Sequence, residues 1–312
     1  MRVLVVGGNG FIGSHVVDAL LQQSIEVVVF DRSPELFRSP LPNVNYVLGD
    51  LNDFLSLENA MSPVIDGVVH VAWKAAPLMS NDNPISDLEN LAWSIKLLEL
   101  CVKKKIGKLV FASSGGTVYG APMILPIPED HPTEPICSYG IAKLAIEKYL
   151  NLYNRLSGLA TIILRIANPY GVRQSPDSVQ GVVPVFIGKM IQGKPLTVWG
   201  NGSVVRDFLD VRDVARLFVL ALKSEVTGVF NVGSGIGTSI NELLELLSLH
   251  LGVKPQISRQ HSRTFDVQTV ILDCRKAKSV YSWEPRITLA EGLTEVSHWL
   301  KSAGAQSMAS HY

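Results

Sequence analysis

The chain has 312 residues, 47% of them hydrophobic and 18% charged, and its 28 basic and 28 acidic side chains give no net charge. This composition is typical of a globular protein, excludes intrinsic disorder, and offers no general attraction to nucleic acid or to anionic membranes. No apolar run approaches the roughly 18 residues of a membrane span, and the three cysteines have no paired spacing, so we expect a cytoplasmic protein.

Short apolar runs alternate with helical patterns through the first half of the chain. The runs are almost continuously apolar, which is typical of strands in a sheet covered by helices on both faces. This alternation predicts an α/β fold with a doubly wound parallel sheet. The predicted strands are 2–6, 26–30, 45–48, 67–71, 108–113 and 161–166. The predicted helices are 13–22, 53–61, 87–104 and 138–156.

The pattern changes after residue 166, where Gly, Pro, Asn and Ser cluster and indicate a loop. A short apolar run at 228–233 predicts a strand that returns to the first sheet. We therefore expect two interleaved domains: residues 1–167 with about 211–235, and a smaller α/β domain of residues 168–210 and 236–301. Residues 302–312 have no apolar period and are expected to form a frayed tail. The later predicted helices are 182–192, 211–223, 240–251 and 289–301.

A glycine-rich segment, Gly-Gly-Asn-Gly-Phe-Ile-Gly at residues 7–13, lies between the first predicted strand and the first helix. Gly7, Gly10 and Gly13 have the spacing that allows a tight turn, close approach of backbone N–H groups to a pyrophosphate, and close helix packing. The helix N-terminus adds a partial positive charge that favours an anion. This loop, with Phe11 and Ile12, predicts a dinucleotide site in a Rossmann-type sheet.

Asp31 ends the second predicted strand, 18 residues after Gly13. A carboxylate at this place accepts hydrogen bonds from an adenosine ribose and repels a 2′-phosphate. Arg32 beside it could instead accommodate a 2′-phosphate, but the carboxylate comes first. The first domain is therefore predicted to bind NAD rather than NADP.

Tyr139 and Lys143 are four residues apart at the start of a predicted helix, so both side chains lie on one face of it. A phenol with a pKa of about 10 is a poor base at neutral pH. We expect the ammonium and a positive nicotinamide ring to lower that pKa, so that Tyr139 removes a proton from a sugar hydroxyl. The pair is informative because it follows a dinucleotide loop and a serine-rich strand end in that order.

Together these features resemble the extended short-chain dehydrogenase/reductase family. The motifs of the first half are the glycine loop, Asp31, Gly49-Asp50-Leu51, Ser113-Ser114, Thr117-Val118-Tyr119-Gly120 and Tyr139/Lys143. Those of the second half are Asn168-Pro169-Tyr170-Gly171, residues 195–200, Arg206-Asp207-Phe208, residues 263–266 and Trp283-Glu284-Pro285. The second set is similar to the family's nucleotide-sugar enzymes, above all its UDP-glucose and UDP-N-acetylglucosamine 4-epimerases.

The resemblance implies an NAD-dependent C4 epimerase of a UDP-hexose or UDP-N-acetylhexosamine. Tyr139 would take the C4 hydroxyl proton while NAD takes hydride, and the hydride would return to the other face of a transient 4-keto sugar. The resemblance also implies a homodimer built from helices 87–104 and 138–156. The implied cofactor residues are Gly7, Gly10, Phe11, Ile12, Gly13, Asp31, Arg32, Asp50, Leu51, Ala72, Lys74, Asn90, Ser113, Tyr139 and Lys143.

One departure from the family pattern concerns the hydroxyl that assists the tyrosine. Members usually carry Ser or Thr three residues before the Val of Thr-Val-Tyr-Gly, and here that position is Gly115. Either Ser114 or Thr117 substitutes through a changed loop path, or Tyr139 works without a helper. We favour substitution by Thr117 over Ser114, because Gly115 and Gly116 allow the loop to deform.

The resemblance assigns the UDP-sugar to the second domain. Arg206 and Arg263 match pyrophosphate ligands, a role that suits the guanidinium fork, although each could form a surface salt bridge instead. Asp266 would accept from the ribose hydroxyls. Val270 stands where some epimerases have a bulky Tyr, and a smaller residue leaves room for an N-acetyl group. The other implied substrate residues are Ser114, Asn168, Val183, Thr197 and Trp199.

Two other functions remain open. A 4-ketoreductase of nucleotide-sugars would use the same residues but would consume NAD(P)H, and a catalytically silent dinucleotide-binding module would show no turnover. Related dehydratases and decarboxylases carry acids at the places of Gly116 and Thr117, so neither reaction is favoured. Seven histidines without paired spacing predict no metal site.

Overall fold

A computed structural model of the chain describes residues 1–62, 64–74, 80–178, 181–262 and 267–309, the side chains of 303–309 excepted. The strands are β1 (Arg2–Val6), β2 (Glu26–Asp31), β3 (Val44–Leu48), β4 (Gly67–His70), β5 (Lys108–Ser114), β6 (Ala160–Ile166), β7 (Asn168–Tyr170), β8 (Leu196–Trp199), β9 (Val205–Asp210), β10 (Gly228–Val232), β11 (Gly237–Ser239), β12 (Ile257–Gln260) and β13 (Thr269–Val270). The helices are α1 (Phe11–Leu21), α2 (Phe54–Ala60), α3 (Pro84–Lys103), α4 (Ser138–Ser157), α5 (Val182–Ile191), α6 (Val211–Lys223), α7 (Ile240–Leu251), α8 (Arg275–Tyr281) and α9 (Leu289–Ala309).

Seven parallel strands form the central sheet, in the order β10-β6-β5-β4-β1-β2-β3. This confirms the predicted doubly wound α/β fold. The strand order reverses between β1 and β4, which is where ligands bind in sheets of this kind. The predicted return strand is β10, which pairs with β6 from Gly228 opposite Ile162 onward.

The apolar strands are buried on both faces, as their composition predicts. Along β1, Val3 and Val5 pack with α1 and α6 on one face, whereas Leu4 and Val6 pack with α2, α3 and α4 on the other. Trp283 is fully buried in the first of these clusters. Two large apolar layers therefore hold the strand ends, and the loops that follow them, in fixed positions.

The residues between β6 and α6, together with most of those after β10, build a smaller layer beside the carboxyl edge of the main sheet. The exceptions are α8 and Trp283, which pack in the first apolar cluster of the main sheet. There β9 lies between β11 and β13 and also pairs with β7, while β8 pairs with β12. Their core joins α5, α7 and α9, with Ile187, Leu243 and Leu293 almost fully buried. The chain then returns to the main sheet through α6 and β10.

The C-terminal helix α9 continues to Ala309. The expectation of a frayed tail from residue 302 was therefore wrong for residues 302–309. The sequence there lacks an apolar period but also lacks proline, and its alanine, glutamine and methionine are good helix formers.

Candidate active site

A first cavity of about 540 Å³ lies at the carboxyl ends of the parallel strands. Every residue that the sequence assigned to the cofactor lines it. These residues are Gly7, Gly10, Phe11, Ile12, Gly13, Asp31, Arg32, Asp50, Leu51, Ala72, Lys74, Asn90, Ser113, Tyr139 and Lys143. The fold thus gathers parts of β1, β2, β4, β5 and α4 around one space.

The glycine turn between β1 and α1 consists of closely packed backbone. Gly7 has φ +88°, and a Cβ on Gly13 would lie 2.0 Å from the Gly7 carbonyl oxygen. A Cβ on Gly10 would meet only that same oxygen, at 3.4 Å, so the space beside Gly10 is open. Gly10 caps α1 without a side-chain hydrogen bond, and the first turn has no acidic residue. The turn is a backbone cradle of the kind that fits a pyrophosphate.

Asp31 is held at the end of β2, on the wall of the first cavity. The backbone N–H of Asn9 donates to Oδ2 at 3.0 Å, and that of Ser33 donates to Oδ1 at 3.2 Å. Asn9 is buried, and its Oδ1 has no hydrogen-bond partner within the described ranges. A fixed carboxylate fits ribose hydroxyls, and a buried amide oxygen without a partner is costly until a ligand satisfies it.

Three further cofactor-assigned residues are already engaged with the protein. Lys74 Nζ pairs with Glu89 at 3.0 Å, and the Lys74 backbone N–H donates to Asn90 Oδ1 at 3.0 Å. The Ser113 hydroxyl donates to the buried carboxylate of Glu147. These contacts fix the wall of the first cavity.

Tyr139 and Lys143 lie one turn apart on α4. Lys143 is buried, and its Nζ donates to the carbonyl oxygen of Ala112 at 2.8 Å. Desolvation lowers the pKa of Lys143 to about 7. Desolvation also raises the pKa of Tyr139, as do Cys137 and Asp87 nearby. In the protein alone the net shift of the phenol pKa is therefore upward, because loss of hydration dominates. The expected lowering by Lys143 and a nicotinamide ring together stays a prediction.

The hydroxyl next to the phenol belongs to Ser114, the last residue of β5. A hydrogen bond between Ser114 and Tyr139 lowers the phenol pKa, against the effect of burial. Thr117, which we favoured from the sequence, has its Oγ1 buried with no hydrogen-bond partner in the described part of the chain. The backbone N–H groups of Thr117 and Val118 both donate to the Ser114 carbonyl oxygen, which closes a tight turn after the strand.

The glycine at position 115 has a packing reason. A Cβ there would lie 2.5 Å from Leu272 Cδ1 and 3.0 Å from the Arg165 carbonyl oxygen. It would point into a buried apolar cluster rather than towards Tyr139. The missing hydroxyl is thus explained by the turn, in which two glycines follow Ser114.

A second cavity, of about 630 Å³, adjoins the first, and Ser114 and Tyr139 line both. Asn168 Oδ1 is buried in the region of this cavity and has no hydrogen-bond partner among the described residues. Arg206 extends from β9, where its Nη1 donates to the carbonyl oxygens of Val205 and Val267. The substrate-assigned residues that line the second cavity are Ser114, Asn168, Val183, Thr197, Trp199 and Arg206, together with Thr117.

Val270 is not part of the described lining of either cavity. It is 2% exposed and packs with Val118, Tyr119 and Leu272 in a buried cluster. The expectation that Val270 borders the sugar was wrong, because this side chain of the edge strand β13 packs into the core. Arg263 and Asp266 lie outside the described residues.

The family model of the NAD dependent epimerase/dehydratase family matches residues 3–233, more than half of the chain. The chain belongs to this family. It is therefore an enzyme, and its cofactor is NAD.

Relatives match this family member over nearly its whole length. A putative UDP-glucose 4-epimerase of Methanocaldococcus jannaschii is 38% identical, with 96% of this chain and 98% of that protein aligned. A dTDP-4-dehydro-6-deoxyglucose reductase of Escherichia coli is 31% identical, with 94% and 96% aligned. The crystal structure of a Thermotoga maritima UDP-glucose 4-epimerase with UDP-glucose superimposes with a TM-score of 0.93 at 36% identity, covering 97% of this chain and 99% of that one.

Sequence reasoning missed several residues that line the first cavity, and two of them contact predicted site residues directly. Asn9 supports Asp31 from within the glycine loop, and Trp73 lies just after β4 with its ring 5.2 Å from that of Tyr139. Trp73 follows the carboxyl end of a parallel strand, where ligands bind, and this position alone could have marked it as a site residue. Its contact with Tyr139 depends on how β4 and α4 pack, which no local pattern reveals.

The described residues contain no group of three or more His, Cys, Asp or Glu side chains placed to hold a metal ion. His70 is buried at the end of β4 and hydrogen-bonds Ser94 at 2.9 Å, and burial lowers its pKa to about 3. It is a packed, neutral side chain. Within the described ranges, no helix has the length and apolar character needed to cross a membrane.

Proposed function

We propose that this enzyme interconverts the C4 epimers of a UDP-hexose, with Tyr139 as the acid–base residue. One observation carries the proposal: Tyr139 lines both the first and the second cavity. A phenol at that junction can reach a hydroxyl of a sugar in the second cavity while it remains beside a cofactor in the first. The relatives named as UDP-glucose 4-epimerases support this reading.

The residues of the first cavity fit NAD. The open space beside Gly10 and the bare N-terminus of α1 would take the pyrophosphate, and Asp31 would accept from the adenosine ribose. Asp50 and Leu51 would border the adenine. Bound NAD supplies the hydride acceptor and donor that inversion at an alcohol carbon requires.

Tyr139 would remove the proton from the C4 hydroxyl and later return it to the same oxygen on the inverted carbon. Loss of that proton, together with a hydride, converts the alcohol to a 4-keto sugar, and the reverse transfer restores an alcohol. Ser114 would donate its one hydroxyl proton to the phenolate, which stabilises the charged form of Tyr139. Lys143, close by on the same helix, would stabilise the phenolate when it is protonated.

The second cavity would bind the UDP part of the substrate. Arg206 presents a guanidinium suited to two phosphate oxygens, and Asn168 Oδ1 offers a buried acceptor that a ligand donor would satisfy. Val183, Thr197 and Trp199 would pack around the nucleotide. We propose UDP-N-acetylhexosamines as further substrates and include them in the assay below. Val270 does not line the second cavity, so its small size is no argument for them.

The alternative supported by a specific observation is a 4-ketoreductase, since the Escherichia coli reductase aligns over 94% of this chain. A reductase consumes one reduced cofactor for each product formed, whereas an epimerase has no net cofactor consumption. Gly116 and Thr117 carry no acid at the loop where elimination would need one.

The test is an assay of the purified protein with UDP-glucose, UDP-galactose and their N-acetyl counterparts, followed by chromatography of the sugars. We expect interconversion without change in NADH absorbance, and a loss of at least about 100-fold in Tyr139→Phe, which keeps its NAD. Stoichiometric oxidation of NAD(P)H with a 4-keto sugar would favour the reductase. Absence of any turnover would favour the silent module.

We also propose a cytoplasmic homodimer assembled through α3 and α4. Large apolar side chains lie exposed along both helices, which is unusual on the surface of a monomer. They are Ile85, Leu88, Ile141, Tyr149, Leu152 and Leu156. The three cysteines are free thiols, which suits a reducing compartment.

A further inference from the structure

Trp73 lies between the end of β4 and helix α4, in contact with both members of the tyrosine–lysine pair. Lys143 Nζ lies over the Trp73 ring, 4.0 Å from its centroid. The Tyr139 and Trp73 rings meet edge to face, with centroids 5.2 Å apart and an interplanar angle of 78°. One indole therefore touches the phenol and the ammonium at once.

The ammonium of Lys143 has few polar partners. It donates one hydrogen bond, to the Ala112 carbonyl oxygen, and the Phe111 ring lies 4.7 Å from Nζ on the side of β5. The charged and titratable groups that face it are Glu147 and Tyr139 from its own helix, Asp87 from α3 and His70 from β4. His70 is neutral, so the protonated lysine is favoured by the carboxylates, the Ala112 carbonyl oxygen and the three rings near Nζ, of which Trp73 is the nearest.

An aromatic face attracts a desolvated ammonium more strongly than one exposed to water. Burial opposes the charge on Lys143 and lowers its pKa to about 7. The contact with Trp73 acts in the opposite direction, because it stabilises the charged form alone. The T-shaped ring contact also limits the orientations open to the Tyr139 ring.

We propose that Trp73 is a positioning residue of the acid–base pair: its ring face keeps Lys143 protonated and its packing fixes the Tyr139 phenol. This inference rests on the proposed role of Tyr139 and Lys143 in epimerisation, but its physical content is a coupling between two side chains. That coupling is measurable without any substrate.

The first experiment is ¹⁹F NMR of the full chain labelled with 5-fluorotryptophan. The chain has five tryptophans, and the Trp73→Phe variant assigns the resonance of Trp73. We expect this resonance to titrate with a midpoint near 7, and the titration to disappear in Lys143→Met; His70, with a pKa of about 3, does not titrate in that range. A ¹⁹F chemical shift of Trp73 that stays constant between pH 6 and 9, or one that still titrates in Lys143→Met, would overturn the proposal.

The second experiment compares the pH dependence of kcat in Trp73→Phe and Trp73→Leu. Phenylalanine keeps an aromatic face, whereas leucine keeps only apolar volume. Removing the aromatic ring face favours the neutral form of Lys143. The alkaline limb of the pH profile of kcat should therefore move to lower pH in Trp73→Leu, by about one pH unit. At pH values above the alkaline pKa of both variants, Trp73→Leu should then show about one tenth of the kcat of Trp73→Phe. Coincident pH profiles in two variants that keep their NAD would contradict the proposal. If no epimerase activity exists, the NMR titration still decides the coupling.

Discussion

Arg165 and Glu147 form a buried ion pair beneath the active site, with Nη2 and Oε2 2.7 Å apart. Glu147 also accepts from Ser113 and lies one turn beyond Lys143 on α4. Loss of one partner of such a pair leaves the other charge uncompensated in the interior. We expect Glu147→Gln to lower the free energy of unfolding by about 3 kcal/mol in urea titrations.

The matched control for that variant is Glu58→Gln, because Glu58 pairs with Lys103 and Lys104 on the surface. Ion pairs exposed to water contribute little, so this variant should unfold at nearly the wild-type urea concentration. Equal midpoints for the two variants would refute the importance of the buried pair.

A second prediction separates the two candidate hydroxyls. Ser114→Ala should lower kcat by about 10- to 100-fold, because a hydrogen bond to a charged group contributes about 1.5–3 kcal/mol. Thr117→Val should change kcat by less than about threefold, since its Oγ1 makes no described hydrogen bond. Steady-state rates at saturating substrate give the comparison, and a larger loss in Thr117→Val would show that the hydroxyl was assigned to the wrong residue.

Burial of the charged Lys143 side chain should lower the free energy of unfolding of the protein. Between pH 7 and about 10 the unfolded chain binds one more proton at Lys143 than the folded chain, so wild-type stability should rise with pH over this window. Below pH 7 Lys143 is charged in both states, so the free energy of unfolding is lowered by the full amount. We expect Lys143→Met to be inactive but more stable at pH 6, by an amount on the order of 5 kcal/mol, with the difference shrinking towards pH 10. Urea unfolding of both proteins at pH 6, 8 and 10 measures it, and a constant difference would contradict the buried charge.

The glycine cradle gives a prediction about NAD. Gly10 has extended backbone angles that alanine also adopts, and its Cβ would meet no atom closer than 3.4 Å. Gly10→Ala should therefore fold normally but bind NAD at least about tenfold more weakly, because the methyl group takes space at the pyrophosphate position. Calorimetric titration measures the affinity.

Gly13→Ala is the contrast, since its Cβ would lie 2.0 Å from the Gly7 carbonyl oxygen. That variant should lose stability as well as NAD, because backbone must move. If Gly10→Ala bound NAD as tightly as the wild type, the cradle would not be the pyrophosphate site.

The proposed dimer is tested on its apolar helix face. Leu152→Lys on α4 should convert a species of twice 34.0 kDa into a monomer in light-scattering measurements. Leu249→Lys on α7, where the leucine is 83% exposed but far from that face in the chain, should leave the mass unchanged. A wild-type mass of one chain would reject the interface.

The sequence predicted the strands of the main sheet to within a residue or two, because most of them are continuous apolar runs buried on both faces, with the edge strand β3 the exception. The glycine loop and Asp31 followed from positions at the carboxyl ends of those strands, whereas Asp50, Lys74 and Asn90 followed only from the resemblance to the family. Ser114 could not be chosen over Thr117, since the turn that separates them depends on two backbone hydrogen bonds to one carbonyl oxygen. Val270 was misplaced for a similar reason: a two-residue strand gives no pattern from which its buried side could be read.

The return of the chain to β10 makes the two parts of this protein inseparable. A polypeptide ending near residue 210 would leave β6 as the sheet edge, with unpaired backbone groups open to pairing with another molecule. Grafting the smaller layer of one relative onto another would therefore require exchange of two separate segments, with α6 and β10 kept from the recipient between them.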